Sequence, residues 1–151
     1  MDHEERLTAT GIRLPAAARP AAMYVPCVRT GDLLYVSGQG PVTAEGFVVG
    51  KVGDALDEAA AKHAARLTGL AILSAVRHEL GSLDKVRRVV KVFGMVNAAP
   101  GFNRMPWVID GCSELFLQVF GDAGRHARSA VGVAELPFDI PVEIEAIFEV
   151  E

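Results

Sequence analysis

The sequence predicts one domain in which α-helices and β-strands are mixed. Apolar residues recur every three to four positions through residues 54–80, as on one face of a helix, and they alternate with polar residues through residues 142–150, as in a strand. The chain has 151 residues, near the usual size of one domain, and 50% of them are hydrophobic. We expect residues 1–151 to form a single domain, with residues 1–22 as an N-terminal leader in which residues 3–9 form a short helix.

The charge balance and the cysteines disfavour several classes of protein. Fifteen Lys and Arg against 19 Asp and Glu give a net charge of −4, whereas nucleic-acid-binding proteins usually carry a basic excess. Cys27 and Cys112 belong to no C-x-x-C pair, and the four histidines show no metal-ligand spacing. The first residues show no basic segment followed by an apolar run, which is the pattern of a secretory signal. No apolar stretch is long enough to span a membrane. We expect a cytoplasmic protein that binds neither nucleic acid nor membrane.

Two long helices are predicted in the middle of the chain. The first covers residues 54–80, with Asp54 as its N-cap and Gly81 as its end. Its apolar face is rich in alanine, which favours close packing on a sheet. The second begins after Pro106, a residue that suits the first turn of a helix, and ends near Phe120.

Strands are predicted on both sides of these helices. An early hairpin joins residues 24–29 to residues 33–36 through a Gly-Asp turn, and residues 47–49 form a third short strand. Residues 85–96 alternate as a long strand. Its apolar face is expected to hold Val86, Val90, Val92 and Val96.

The end of the chain predicts a second hairpin. Its two strands are residues 128–135 and residues 142–150, joined by a six-residue loop. In the last strand, Glu143 and Glu145 lie on the face opposite the apolar one. Because carboxylates are costly to bury unpaired, this second face must meet solvent, the cations of a partner, or a site.

Arg128 and Glu143 are the strongest candidates for chemistry. Small residues follow Arg128 on its face of the strand and leave room for a ligand, and a guanidinium is a planar fork suited to a carboxylate. The alternative is that Arg128 pairs with a glutamate of the neighbouring strand. Glu143 is either a solvated strand residue or a general acid or base that orients water near Arg128.

Three other side chains have both structural and functional interpretations. Tyr24, at the start of the first strand, either stacks on a ligand or packs within the protein. His126 either adjusts the charge beside Arg128 or supports the strand. Cys112 falls inside the second helix, where a buried small hydrophobe is a simpler interpretation than a nucleophile.

The terminal motif resembles a known family. The run R-S-A-V-G-V-A-E-L-P at residues 128–137, followed by V-E-I-E at residues 142–145, is similar to the signature of the YjgF/YER057c/UK114 family, also called the RidA family. Tyr24 and the S-G-Q turn at residues 37–39 also match that family. The resemblance extends from about residue 20 to the end of the chain.

The resemblance implies a fold and an activity. The fold would be α+β, a chorismate-mutase-like single domain with a mixed sheet of about six strands and two helices on one face. Three subunits would form a homotrimer with a pocket at each interface. Characterised members hydrolyse enamine and imine intermediates of amino acids to 2-oxo acids and ammonia, and they use no metal or organic cofactor.

The resemblance also implies roles for individual residues. Arg128 would hold the carboxylate of a small substrate, and Glu143 would orient or activate the attacking water. The backbone of Ala130 would contact the substrate, while Tyr24 and Gly38 would line the pocket.

The second helix departs from the pattern of the family. Many relatives carry N-x-x-Y-E there, whereas this chain has Asp110 in place of the asparagine and Ser113 in place of the tyrosine. Two other functions therefore stay open beside deamination. One is non-catalytic binding or sensing of small 2-oxo or amino acids, and the other is an endoribonuclease, which the net charge disfavours.

Overall fold

A computed structural model describes residues 1–19 and 22–151, and three α-helices and seven β-strands form within them. Pro20 and Ala21, part of the predicted leader, lie outside the described residues. The helices are α1 (His3–Ala9), α2 (Glu58–Leu80) and α3 (Met105–Phe120). The strands are β1 (Cys27–Thr30), β2 (Leu33–Gln39), β3 (Val42–Thr43), β4 (Gly46–Phe47), β5 (Val86–Asn97), β6 (Ala127–Val133) and β7 (Val142–Val150).

Five strands form one mixed sheet in the order β1-β2-β7-β5-β6. The pair β5 and β6 is parallel, and every other neighbouring pair in this sheet is antiparallel. Strands β3 and β4 form a separate two-stranded sheet. The α+β class is confirmed, with five strands in the main sheet where about six were predicted.

The core lies between the sheet and the pair α2 and α3. Phe148 of β7 is fully buried, and its ring lies edge-on against Phe116 and Phe120 of α3, at 5.8 and 6.1 Å between ring centroids. The predicted alternation of β7 is confirmed, since Ile144 is buried and Glu145 is exposed. The short helix α1 joins this core through Leu7, which is 4% exposed.

Small residues let the two long helices approach closely. A Cβ atom added at Gly111 of α3 would lie only 2.0 Å from the carbonyl oxygen of Lys62 in α2, so a side chain at position 111 would push the helices apart. Helix α2 ends at Gly81, as predicted, in the left-handed conformation that glycine adopts without strain. It begins later than predicted. Its N-cap is Asp57, whose carboxylate accepts a hydrogen bond from the Ala60 N–H at 2.8 Å, because residues 51–56 form a turn of their own.

The predicted terminal hairpin is wrong. Strand β6 pairs with β5 and not with β7, which lies between β2 and β5. Parallel strands need a crossover, and α3 supplies it between β5 and β6. The loop at residues 134–141 then crosses β5, so that β7 pairs with the edge of β5 opposite to β6.

Three smaller predictions need correction. Tyr24 precedes β1, which begins at Cys27, and the third strand is Gly46–Phe47 rather than residues 47–49. In β5 it is Val89, not Val90, that is fully buried, because two irregularities in the register with β7 interrupt the alternation. The early turn is confirmed, with Gly31 at φ 57°.

Candidate functional site

A cavity of about 570 Å³ brings together three of the predicted site residues, Tyr24, Gly38 and Glu143. It lies on the face of the sheet that α2 and α3 leave uncovered, near the ends of β2 and β7. Ser37 holds one wall in place, since its hydroxyl donates to the carbonyl of Val25 at 2.6 Å. Tyr24 is half-exposed at this wall, so it is available to a ligand.

Glu143 is half-buried in this cavity. Burial, and secondarily the neighbouring Glu145 carboxylate, raise its pKa above the ordinary range of a glutamate. A carboxyl with a raised pKa is suited to accept and return a proton near neutral pH.

Gly38 makes room for that carboxylate. A Cβ atom at position 38 would lie 2.9 Å from the Glu143 Oε2 atom, so any larger residue would displace the side chain of Glu143. The register between β2 and β7 shifts between Val36 and Gln39, which is where the chain bends around Glu143. Residues 37–39, expected as a turn, are the irregular end of β2, and Gly38 is explained by its close approach to the carboxylate.

Another part of the cavity wall comes from a strained turn. Phe138 and Asp139 have φ angles of 57° and 55°, in the left-handed region that costs energy for residues other than glycine. The buried Asn97 holds this turn, because its Nδ2 donates to Asp139 Oδ1 and to the Ile140 carbonyl, each at 3.1 Å. Lys51 fixes the amide in turn by donating to Asn97 Oδ1 at 2.7 Å. The sequence did not predict this network; a polar residue, Asn97, at the end of a buried strand was the only signal for it.

Arg128 does not line this cavity. Its guanidinium donates to Asp110 Oδ1 at 2.7 Å and to Ser113 Oγ at 3.1 Å, and also to the carbonyl of Pro106 at 3.3 Å. All three acceptors belong to α3. The pairing with a glutamate of a neighbouring strand is therefore wrong, and the two positions that depart from the pattern of the family are those that hold Arg128.

His126 continues the same network. A carbonyl can only accept, so the 2.6 Å contact with Gly124 places the proton on Nδ1 of His126, and Nε2 is left to accept from the Ser113 hydroxyl at 2.9 Å. Burial lowers the pKa of His126, with a smaller contribution in the same direction from Arg128 and an opposing one from the Gly124 hydrogen bond. The neutral imidazole thereby directs the lone pairs of Ser113 toward Arg128.

Arg128 and Glu143 face opposite sides of the sheet within one chain. Arg128 is in register with Val92 and Ala146, which are buried under the helices. Glu143 is in register with Met95 on the other side. Ala130 lies with Arg128 on β6, the last strand of the sheet. One chain therefore separates the predicted site residues into two groups.

Neither cysteine is placed for catalysis. Cys112 is fully buried in α3, as predicted, and burial raises the pKa of its thiol strongly. Burial and the Glu79 charge raise the pKa of Cys27 to about 11. Within residues 1–19 and 22–151, no three His, Cys, Asp or Glu side chains are grouped as metal ligands, and no helix has both the length and the apolar character to cross a bilayer.

Replacing the thiols tests their role. We expect Cys27→Ala with Cys112→Ala to keep its activity per folded molecule, because both thiols are protonated at neutral pH. The Cys112 change should cost on the order of 1–3 kcal/mol in the free energy of unfolding, since it leaves a small cavity in the core. Denaturant melts measure the free energy of unfolding, and an assay on the same samples measures the activity. Loss of activity in a variant that still folds would show that the site needs a thiol.

The chain belongs to the YjgF family. The family model described as "YjgF/chorismate_mutase-like, putative endoribonuclease" matches residues 4–143.

Three similar proteins illustrate the range of the family. Protein TCP17 of Trypanosoma cruzi is 47% identical over 141 residues, covering 92% of this chain and 88% of that protein. The 2-iminobutanoate/2-iminopropanoate deaminase of Dermatophagoides farinae is 33% identical, covering 93% of this chain and 95% of that protein. The crystal structure of Atu1372 from Agrobacterium tumefaciens, a protein of unknown function, matches with a TM-score of 0.91 at 46% identity, covering 99% of this chain and 92% of that one.

Proposed function

We propose that this protein is a hydrolytic deaminase of enamine and imine intermediates of amino acids, and that its site is shared between two copies of the chain. The observation that carries the proposal is the cavity that groups Glu143 with Tyr24 and Gly38. The relative from Dermatophagoides farinae, named for deamination of 2-imino acids, supports the same chemistry.

The reaction needs a water, a proton carrier and a carboxylate clamp. Glu143 takes a proton from water as the water oxygen bonds to C2 of the imine, and it returns that proton to the nitrogen as the C=N double bond opens, which gives a carbinolamine. Glu143 then moves the hydroxyl proton to the amine nitrogen, the C–N bond breaks, and ammonia leaves as the C=O bond of the 2-oxo acid forms. An imine carbon is already electrophilic, so positioning of substrate and water supplies much of the rate.

Arg128 of a second copy supplies the clamp in this proposal. Within one chain Arg128 faces away from Glu143, whereas β6 is an edge strand and can present its guanidinium to a neighbour. The uncovered sheet face also exposes apolar side chains that favour burial between subunits. These side chains are Val28, Tyr35 and Val131. We propose the homotrimer, with one pocket at each interface and a mass of about three times 16.1 kDa.

A second candidate is an endoribonuclease, because the description of the matching family names that activity. The net charge of −4 and the two carboxylates in the cavity, Glu143 and Glu145, repel phosphates and weigh against it. A third is a non-catalytic pocket for small acids. Pure binding of an anion gains nothing from Glu143, which favours the deaminase.

The experiment that tests the proposal measures release of 2-oxo acid and ammonia from imino acids generated in the cuvette from alanine or 2-aminobutanoate by an amino-acid oxidase. Faster release with the protein than without it, together with a trimeric mass by light scattering, supports the proposal. A monomeric mass at micromolar concentration would rule out the shared site. RNA cleavage without imine turnover would favour the nuclease, whose binding should weaken steeply as salt is raised.

A further inference from the structure

We propose that the aromatic pair Phe47 and Phe138 makes the cavity selective for 2-imino acids that carry an aromatic side chain over those with a methyl or ethyl group. This inference rests on the proposed deaminase function and names the substrate class of that same site. It concerns the wall of the cavity and leaves the reacting groups unchanged.

The two rings are stacked where solvent can reach them. Their centroids are 5.8 Å apart with 21° between the ring planes, and both rings line the cavity that holds Glu143. Phe138 is 65% exposed and Phe47 is 44% exposed. Large apolar side chains are normally buried, so an exposed stacked pair inside a cavity presents an apolar surface to something that enters.

The backbone holds Phe138 in this position at a cost. Its left-handed conformation is unfavourable for a phenylalanine, and the Asn97 network is what maintains it. Strain that is fixed by a buried polar network is typical of functional positions. On the other side, a Cβ atom at Gly40 would lie 3.1 Å from Phe47 Cε1, so the glycine gives the Phe47 ring its place.

The size and lining of the cavity fit an aromatic ring. A volume of about 570 Å³ lies within the range of sites that hold drug-sized ligands. The apolar part of the lining includes Tyr24, Pro26, Val42 and Ile140 together with the two rings. The aromatic side chain of the substrate would stack there while the C2 atom of the imino acid faces Glu143.

The test compares two substrates. Imino acids are generated from phenylalanine and from alanine, and kcat/KM is measured for the parent, Phe138→Ala, Phe138→Leu and Val49→Ala. Val49 is a matched control, an exposed apolar residue near Phe47 that does not line the cavity. We expect the parent to prefer the aromatic substrate, and Phe138→Ala to lower kcat/KM for it roughly tenfold while changing the alanine-derived value less than about twofold. Phe138→Leu should fall between, and the control should match the parent.

Three results would overturn the inference. The first is a parent that prefers the small substrate, and the second is a Phe138→Ala variant that loses both activities equally. The third is a variant that changes its mass, which would mean that the ring packs against a second copy. Calorimetric binding of phenylpyruvate and pyruvate separates this inference from the proposed function. If no imino acid is turned over, deamination fails, while tighter binding of phenylpyruvate that depends on Phe138 still supports the aromatic pocket.

Discussion

Replacing Glu143 with glutamine is expected to lower kcat for 2-imino acids by roughly 10²- to 10⁴-fold, the usual contribution of a general acid or base. The amide keeps the size and hydrogen bonding of the side chain but cannot take a proton from water. Binding of the product acid, measured by calorimetry, should be retained or tightened because one negative charge leaves the cavity. Unchanged turnover would remove Glu143 from the mechanism.

The same variant provides a pH test. Because burial raises the pKa of Glu143, the parent should lose activity as the pH falls through that raised value, and this acid limb should disappear in Glu143→Gln. The folded protein also binds a proton at this carboxyl more tightly than the unfolded chain does. Ionisation therefore costs stability, and this cost sets in as the pH rises from the ordinary pKa through the raised one. Glu143→Gln should melt at the same temperature as the parent or higher at neutral pH, which serves as its folding control.

Replacing Arg128 with alanine is expected to lower kcat/KM by about 30- to 1000-fold, as for loss of a charge-assisted bidentate contact worth roughly 2–4 kcal/mol. Lysine keeps the charge but lacks the fork, so Arg128→Lys should fall between the parent and the alanine variant. Initial rates over a range of substrate concentrations measure both. The defect should appear mainly in KM if the guanidinium holds the carboxylate equally in the ground and transition states.

The Arg128 variants need a control for folding, because Arg128 also forms an ion pair with Asp110. The Asp110 side chain is 42% exposed and the Arg128 side chain 21%, and an ion pair that is partly open to water contributes only modestly to stability. Arg128→Ala should therefore fold and keep the mass of the parent. If it instead dissociates or melts early while activity per folded molecule is unchanged, the guanidinium is a structural partner of α3 and not a clamp.

The sequence predicted the individual helices and strands better than it predicted which strands pair with each other. Periodicity located α2, α3 and β7 because burial of one face imposes a repeat on the residues of that element. It could not show that β5 lies between β6 and β7, because residues 128–150 do not indicate which strand separates these two. The assumed hairpin was wrong for that reason.

Only part of the candidate site was predicted, because its other contacts also depend on which elements lie side by side. Glu143 and Tyr24 were candidates from the sequence pattern and Gly38 from the resemblance to a family, and the three residues share a cavity. The partners of Arg128 come from α3, and Asn97 acts on a turn more than 40 residues away in sequence. Such contacts depend on the topology and leave no periodic signal. The exposed ring of Phe138 depends in addition on a left-handed backbone, for which glycine or asparagine would have been the expected residue.

If Glu143 of one copy acts with Arg128 of another, mixing two variants that each lack one of these residues should restore activity. Arg128→Ala subunits retain Glu143, and Glu143→Gln subunits retain Arg128. The two variants are unfolded and refolded together in equal amounts, and 2-oxo acid release from imino acids is compared with that of each variant refolded alone. If three copies assemble at random, about a quarter of the interfaces combine both intact residues, so the mixture should recover about a quarter of the parent activity. Activity no higher than the average of the two separate variants, in samples of trimeric mass, would contradict a site shared between copies.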